Sequence, residues 1–149
     1  MSLEKDIQQD KFANEYEKVA VNILFTGSWL HNQNAIRLKT HGLTPEQYNV
    51  LRILRGSHPK TLRLSDISCR MIDKNSNATR LVEKLKLKGL LKRERCENNR
   101  RQVDVFITEK GLAILKKIDQ EESWLATLKN ITKAEAIEIN RILDKLRNP

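Results

Sequence analysis

Asn75, Ser76 and Asn77, followed at helical spacing by Thr79, Arg80, Glu83 and Lys84, put amides, hydroxyls and cations on one side of a single segment. Such groups recognise base edges. An Asn amide matches the donor and acceptor of adenine, an Arg guanidinium matches the two acceptors of guanine, and a Ser or Thr hydroxyl serves either base or reaches phosphate. Further along, Arg95, Arg100 and Arg101 bracket a polar turn. An Arg on a narrow ribbon suits the minor groove, where negative potential is enhanced in A·T-rich sequence. Ser65, at the start of the preceding helix, completes the candidate contacts to double-stranded DNA. For Arg80 or Lys84 alone the plain alternative is ordinary exposed charge. Arg100 and Arg101 face opposite sides of a strand, so one of them alternatively pairs locally.

The charge distribution agrees with that chemistry. Between Arg80 and Arg101 lie nine basic and three acidic residues, a net +6 of the whole chain's +9. A solvated helix face mixes both signs, whereas this stretch is strongly basic and points to an anionic partner. Lys86, Lys88 and Lys92 read as phosphate-attracting or simply solvated.

These residues need elements to hold them. Leu43-Thr44-Pro45-Glu46-Gln47-Tyr48 opens a helix, with Thr44 and Gln47 as a capping box and Pro45 at the first helical position. That helix is expected to stop at Gly56. Thr61–Leu64 alternates like a very short strand, and Ser65 is expected to cap a short helix from Asp66 to about Met71. The polar turn 73–76 leads into a helix from about Ser76 to Lys88, ended by Gly89, with Ala78, Leu81, Val82 and Leu85 on one face. Two helices joined by a short polar turn form a helix-turn-helix outline. Leu90–Arg95 and Gln102–Ile107 then read as the two strands of a hairpin.

Flanking blocks complete the chain. Residues 4–39 carry an apolar stripe (Phe12, Tyr16, Val19, Ile23) and are expected to form one long helix or two in series. Thr108 caps a helix whose stripe (Leu112, Leu115, Ile118, Leu125, Leu128) would run for about six turns. Thr132 and Glu135 form a second capping box that opens a last helix. Two long stripes at the chain ends exceed what one small domain covers, and pairing them across a two-fold axis would bury them.

The order and spacing of four stretches resemble the MarR (multiple-antibiotic-resistance-regulator) family of bacterial transcription factors. They are Leu43–Leu51, Ala78–Leu85 with Lys88-Gly89-Leu90-Leu91-Lys92-Arg93, Arg100-Arg101, and Ile107-Thr108-Glu109-Lys110-Gly111. The match covers about residues 10–147. The resemblance implies a mainly α fold with a small β-hairpin wing: a winged helix-turn-helix lobe at about 43–107 within one domain, 1–149. It implies dimerisation helices at about 4–39 and 108–147, a recognition helix at about 76–88 and a wing at about 95–103. It further implies a homodimer on a pseudo-palindromic operator, usually as a repressor. Family members often bind small aromatic or phenolic anions, and the residues placed to line such a cavity are Phe25, Trp29, His31 and Tyr48; plain core or interface packing is the alternative for each. The family's wing commonly carries Asp-x-Arg. Here Asn99 stands at the Asp position and Arg101 aligns with the groove-entering Arg, so an ion-pair partner that would orient the wing is missing.

Other chemistries find no support in the chain of 149 residues. His31, His41 and His58 lack metal-ligand spacing, Cys69 and Cys96 form no CxxC, and no phosphate loop or activated nucleophile is recognisable. Neither an enzyme nor a cofactor is expected. Cys69 is expected to be a small buried residue, and Cys96 an exposed one near the wing. No stretch approaches the roughly 20 apolar residues of a membrane span, and the N-terminus lacks a signal-peptide layout, so a soluble cytoplasmic protein is expected. Two other readings stay open: a winged-helix module that binds an acidic protein, and a non-specific architectural nucleic-acid binder.

Overall fold

Thr44 begins the helix on which the fold is built. Its hydroxyl accepts the Gln47 N–H at 3.2 Å, and Gln47 Oε1 accepts the Thr44 N–H at 3.3 Å, so the capping box is reciprocal. The computed structural model describes residues 2–96, 99–121, 126 and 128–148, and the side chains of 95–102 also lie outside the description. In chain order the elements are α1 (Leu3–Ile7), α2 (Glu15–Lys39), α3 (Pro45–Ser57), β1 (Leu62–Arg63), α4 (Leu64–Arg70), α5 (Ala78–Leu87), β2 (Leu91–Cys96), β3 (Asn99–Ile107), α6 (Glu109–Gln120) and α7 (Lys133–Arg147). They fall into two compact units, Met1–Ile118 and Asp119–Pro149.

In the first unit, Val50, Leu51 and Leu54 of α3 are fully buried with Ile67 and Met71 around α4, Val82 and Leu85 of α5, Leu91 and Val105 of the sheet, and Leu115 and Ile118 of α6. Each such side chain contributes roughly 1.5–3 kcal/mol relative to exposure. The sheet is antiparallel, in the order β1-β3-β2. Leu62 pairs with Val105, and β2 pairs with β3 from Leu91–Ile107 to Arg95–Val103, beyond which the register shifts. The second unit contains α7, opened by the Thr132–Glu135 capping box.

The fold is the mainly helical, winged arrangement expected, with several local differences. The 4–39 block takes the second of its two expected forms, two helices in series, α1 and α2; the differences lie elsewhere. Gly56 does not stop α3, which passes through it to Ser57 without the positive φ of a glycine stop. Ser65 is not a cap: α4 starts one residue earlier, at Leu64, where Asp66 reaches back to accept the Arg63 N–H at 3.1 Å. The helix expected from Ser76 begins at Ala78, because Asn77 takes the cap. β3 starts at Asn99 rather than Gln102, because backbone pairing persists past the irregularity and needs no apolar alternation. α6 ends at Gln120, so Leu128 lies beyond it; Leu125 is outside the described residues. Cys69 is exposed, since α4 turns Ile67 inward instead; the Cys96 side chain is outside the description.

The corner between α5 and the wing is the tightest part. Gly89 has φ +71°, a left-handed conformation that side chains resist. Its N–H reaches the Lys86 carbonyl and the Leu90 N–H reaches that of Leu85, a Schellman closure with Leu85 and Leu90 both buried. Thr108 caps α6 by accepting the Gly111 N–H, and its hydroxyl donates to the Gly89 carbonyl at 2.8 Å. Gly111 lies so close to Leu90 that a Cβ there would overlap the Leu90 carbonyl oxygen and Ile107 Cγ1. Gly111→Ala is therefore expected to destabilise the fold by about 1–3 kcal/mol. Gly56→Ala, where a Cβ meets only the Arg70 guanidinium at 3.7 Å, is expected to stabilise it by about 0.4–1 kcal/mol. Urea titration of both variants checks the pair, and a Gly111→Ala protein as stable as the parent would contradict the packing.

Candidate nucleic-acid interface

Residues 71–77 turn the chain from α4 into α5, and Asp73 organises them. Its carboxylate accepts the Asn75 N–H and the Ser76 hydroxyl, each at 2.9 Å. Those bonds, the Asn75 N–H first, hold the Asp73 carboxyl below its ordinary value, with a smaller contribution from the charge of His31. The Ile72 N–H donates to Asn49 Oδ1 on α3, fastening the turn to the scaffold. Asn77 Oδ1 then accepts the Arg80 N–H at 3.0 Å and caps α5.

Ala78, Val82 and Leu85 face the core, which turns Thr79, Arg80 and Lys84 to solvent. Arg80 and Lys84, four residues apart, share a face. Among the described residues neither meets an acidic partner. Asn75 and Asn77 are exposed and Ser76 is half-buried, so the turn and the first two turns of α5 form one continuous polar surface. Ser65 is exposed on α4. Arg95 stands on β2 and Arg100 and Arg101 on β3, with Arg95 opposite Val103. Glu97 and Asn98, expected in the hairpin's turn, lie outside the described residues.

Two cations of the basic stretch are committed elsewhere. Arg93 on β2 pairs with Glu83 on α5, tying the wing to the helix. Lys88, read from sequence as solvated or phosphate-attracting, sends its Nζ to the Gly42 carbonyl (2.5 Å) and to Gln47 Oε1 (3.0 Å). No short-range spacing announces either contact, because each partner lies ten or more residues away in the chain.

The candidate ligand residues occupy three settings on two helices. Phe25 lines a recess with Leu3, Lys18, Asn22 and Thr26. Trp29 and His31 are exposed on α2, with His31 Nε2 3.8 Å from a Glu46 carboxylate oxygen. Tyr48 is half-buried between two guanidinium groups: Arg37 and Arg52 lie 5.5 and 5.7 Å from its ring centre, and Arg52 donates to its hydroxyl. Arg37 Nε is buried and meets no acceptor among the described residues.

A model of the MarR family matches residues 43–103. The transcriptional repressor MprA of Escherichia coli (strain K12) is 29% identical over 89 residues, covering 60% of this chain and 50% of MprA. The chain thus spans about half the length of that relative. The HTH-type transcriptional regulator MgrA of Staphylococcus aureus is 26% identical over 108 residues, 72% of each chain. Among solved structures, a mutant MarR from E. coli complexed with operator DNA has the same fold, with TM-score 0.79 and 21% identity over 94% of this chain and 100% of that one.

The caps separate folding from recognition. Asn77→Ala is expected to cost about 1 kcal/mol of stability, whereas Asn77→Asp keeps the cap and stays close to the parent. Asp73 has a depressed folded pKa, so its contribution is present above its ordinary 3.8 and is lost as pH falls below that, through the folded value. Asp73→Asn should therefore be less stable than the parent near neutrality, and the two should converge as pH falls well below 3.8 and through the folded value. Denaturation midpoints measured across pH check both.

Proposed function

We propose, from the match of a MarR family model to residues 43–103, over the helix-turn-helix and wing, that the chain is a MarR-type regulator that binds a pseudo-palindromic DNA operator as a homodimer and represses transcription. One observation carries this reading: α5 presents Thr79, Arg80 and Lys84 outward, continuous with a polar capped turn and beside a hairpin bearing Arg95, Arg100 and Arg101 besides the paired Arg93. Side chains near the N-terminus of such a helix read the major groove, and a wing Arg suits the adjacent minor groove. Arg101 is assigned to the minor groove; Thr79 and Arg80, with the amide of Asn77, to base edges; and Ser65, Asn75, Ser76, Lys84, Arg95 and Arg100 to phosphate or supporting contacts.

Two apolar surfaces support the dimer. Tyr16, Val19, Leu24 and Ile36 on α2 and Ile137, Ile139, Ile142 and Leu146 on α7 are all more than two-fifths exposed. A second copy covering these faces forms an isologous interface. Two readers about 34 Å apart then meet half-sites one DNA turn apart. A small aromatic or phenolic anion relieves repression by binding better to a dimer whose readers no longer match that spacing. The two guanidinium groups around Tyr48, one with an unsatisfied buried N–H, supply a cationic aromatic setting for it.

Selection from a random duplex pool near physiological salt tests the reading. An inverted repeat is expected, and recovery of no preferred sequence overturns it. On that repeat, Arg80→Ala is expected to cost about 1–3 kcal/mol and relax one position in each half-site, while Arg101→Ala weakens binding broadly. Log affinity should fall with log salt by about 0.9 per neutralised phosphate. Sedimentation should give a dimer that Ile142→Glu shifts toward monomer.

A further inference from the structure

Lys88 ends the reader helix, and its side chain turns away from the reading face. Its Nζ crosses to the corner between α2 and α3, donating to the Gly42 carbonyl and to Gln47 Oε1. Gln47 is 4% exposed, and the same Oε1 serves the Thr44 cap. The Lys88 carbonyl in turn accepts from Lys110 Nζ on α6 at 2.9 Å. One residue at the C-terminus of α5 thus holds polar contacts to the α2–α3 corner, to α3 and to α6.

The geometry gives this tie leverage. α5 is a ten-residue rod of about 15 Å. Its N-terminal cap is made within the helix's own first turn and says nothing about where the axis points. The Arg93–Glu83 pair joins α5 to the wing, so helix and wing can shift together without breaking it. Ala78, Val82 and Leu85 pack α5 into the core with α3, and the Lys88 bonds add directional contacts at the helix's far end. A charged N–H bonded to fixed oxygens is short and directional. Because both acceptors are neutral, the bond also leaves the positive charge of Lys88 uncompensated near α5.

We propose that Lys88 is a positioning residue for DNA reading: it sets the axis of α5 on α3, and so which base edges Thr79 and Arg80 reach, without touching DNA. This rests on the operator-binding function proposed above. The alternative role for a lysine in this stretch, a phosphate contact, makes a different prediction.

The test uses the full-length protein, the inverted repeat recovered by selection and a random duplex of equal length. Lys88→Met is expected to lower the ratio of operator to random-duplex affinity by about tenfold or more, as a misread position does. The slope of log affinity against log salt should stay at the parent value. Lys88→Arg, which restores donors, should recover most of the ratio. Gln47→Glu, which keeps the capping box and offers Lys88 a carboxylate, should hold the ratio at or above the parent's, and a fall there overturns the proposal. A Lys88→Met protein with an unchanged ratio and a slope shallower by about 0.9 makes Lys88 a phosphate contact and overturns it. An unchanged ratio and slope overturn it as well. If the parent itself prefers no duplex, the operator-binding function fails first; a parent with a preferred site and an unaffected Lys88→Met protein sinks this inference alone.

Discussion

The left-handed turn at Gly89 is the constraint on which the rest depends. It ends α5, closes a Schellman motif over buried Leu85 and Leu90, and starts the wing one residue later. Thr108 and Gly111 press α6 against the same backbone, so helix, wing and α6 leave one corner in directions none can change alone. A protein that reads DNA with a helix and a wing together, as proposed here, needs their mutual angle fixed before the duplex arrives. Otherwise, ordering them on binding consumes part of the interaction energy.

The cations divide by what they face. Arg80, Lys84, Lys86 and Lys92 are exposed and make no hydrogen bond or ion pair among the described residues, whereas Arg93 and Lys88 are spent on internal ties. Net charge along a segment therefore overstates the charge on offer to a partner. It understates how much of that charge holds the scaffold in shape.

Much of this was legible in residue order because the signals were local. Thr44, Pro45 and Gln47 predict the start of α3, Thr132 and Glu135 that of α7, and Gly89 the end of α5, since caps and left-handed closures are settled within one turn of chain. Alternation marks the hairpin for the same reason. What was not legible turned on competition between neighbouring signals, on which side chain turns inward, or on distant partners. Ser65 looks like a cap, but Asp66 reaching back to Arg63 decides the start of α4. Gly56 looks like a stop, but α3 runs through it to Ser57. Cys69 reads as core, yet Ile67 takes the inward position. The exposure of the proposed contact residues on α5 follows from the face opposite Ala78, Val82 and Leu85. The Lys88 tie does not, because Gly42 and Gln47 are more than forty residues away.

Glu83 is the only acidic side chain on α5, and Arg93 answers it from the wing. A carboxylate facing a polyanion is a defect unless masked, and here the mask comes from the neighbouring strand. The pair is half-open to water, so dissolved ions screen it as they screen the attraction to phosphate. For the proposed operator complex, rising ionic strength thus acts twice: it thins the pull on the duplex, and it unmasks a repelling group on the proposed reading helix.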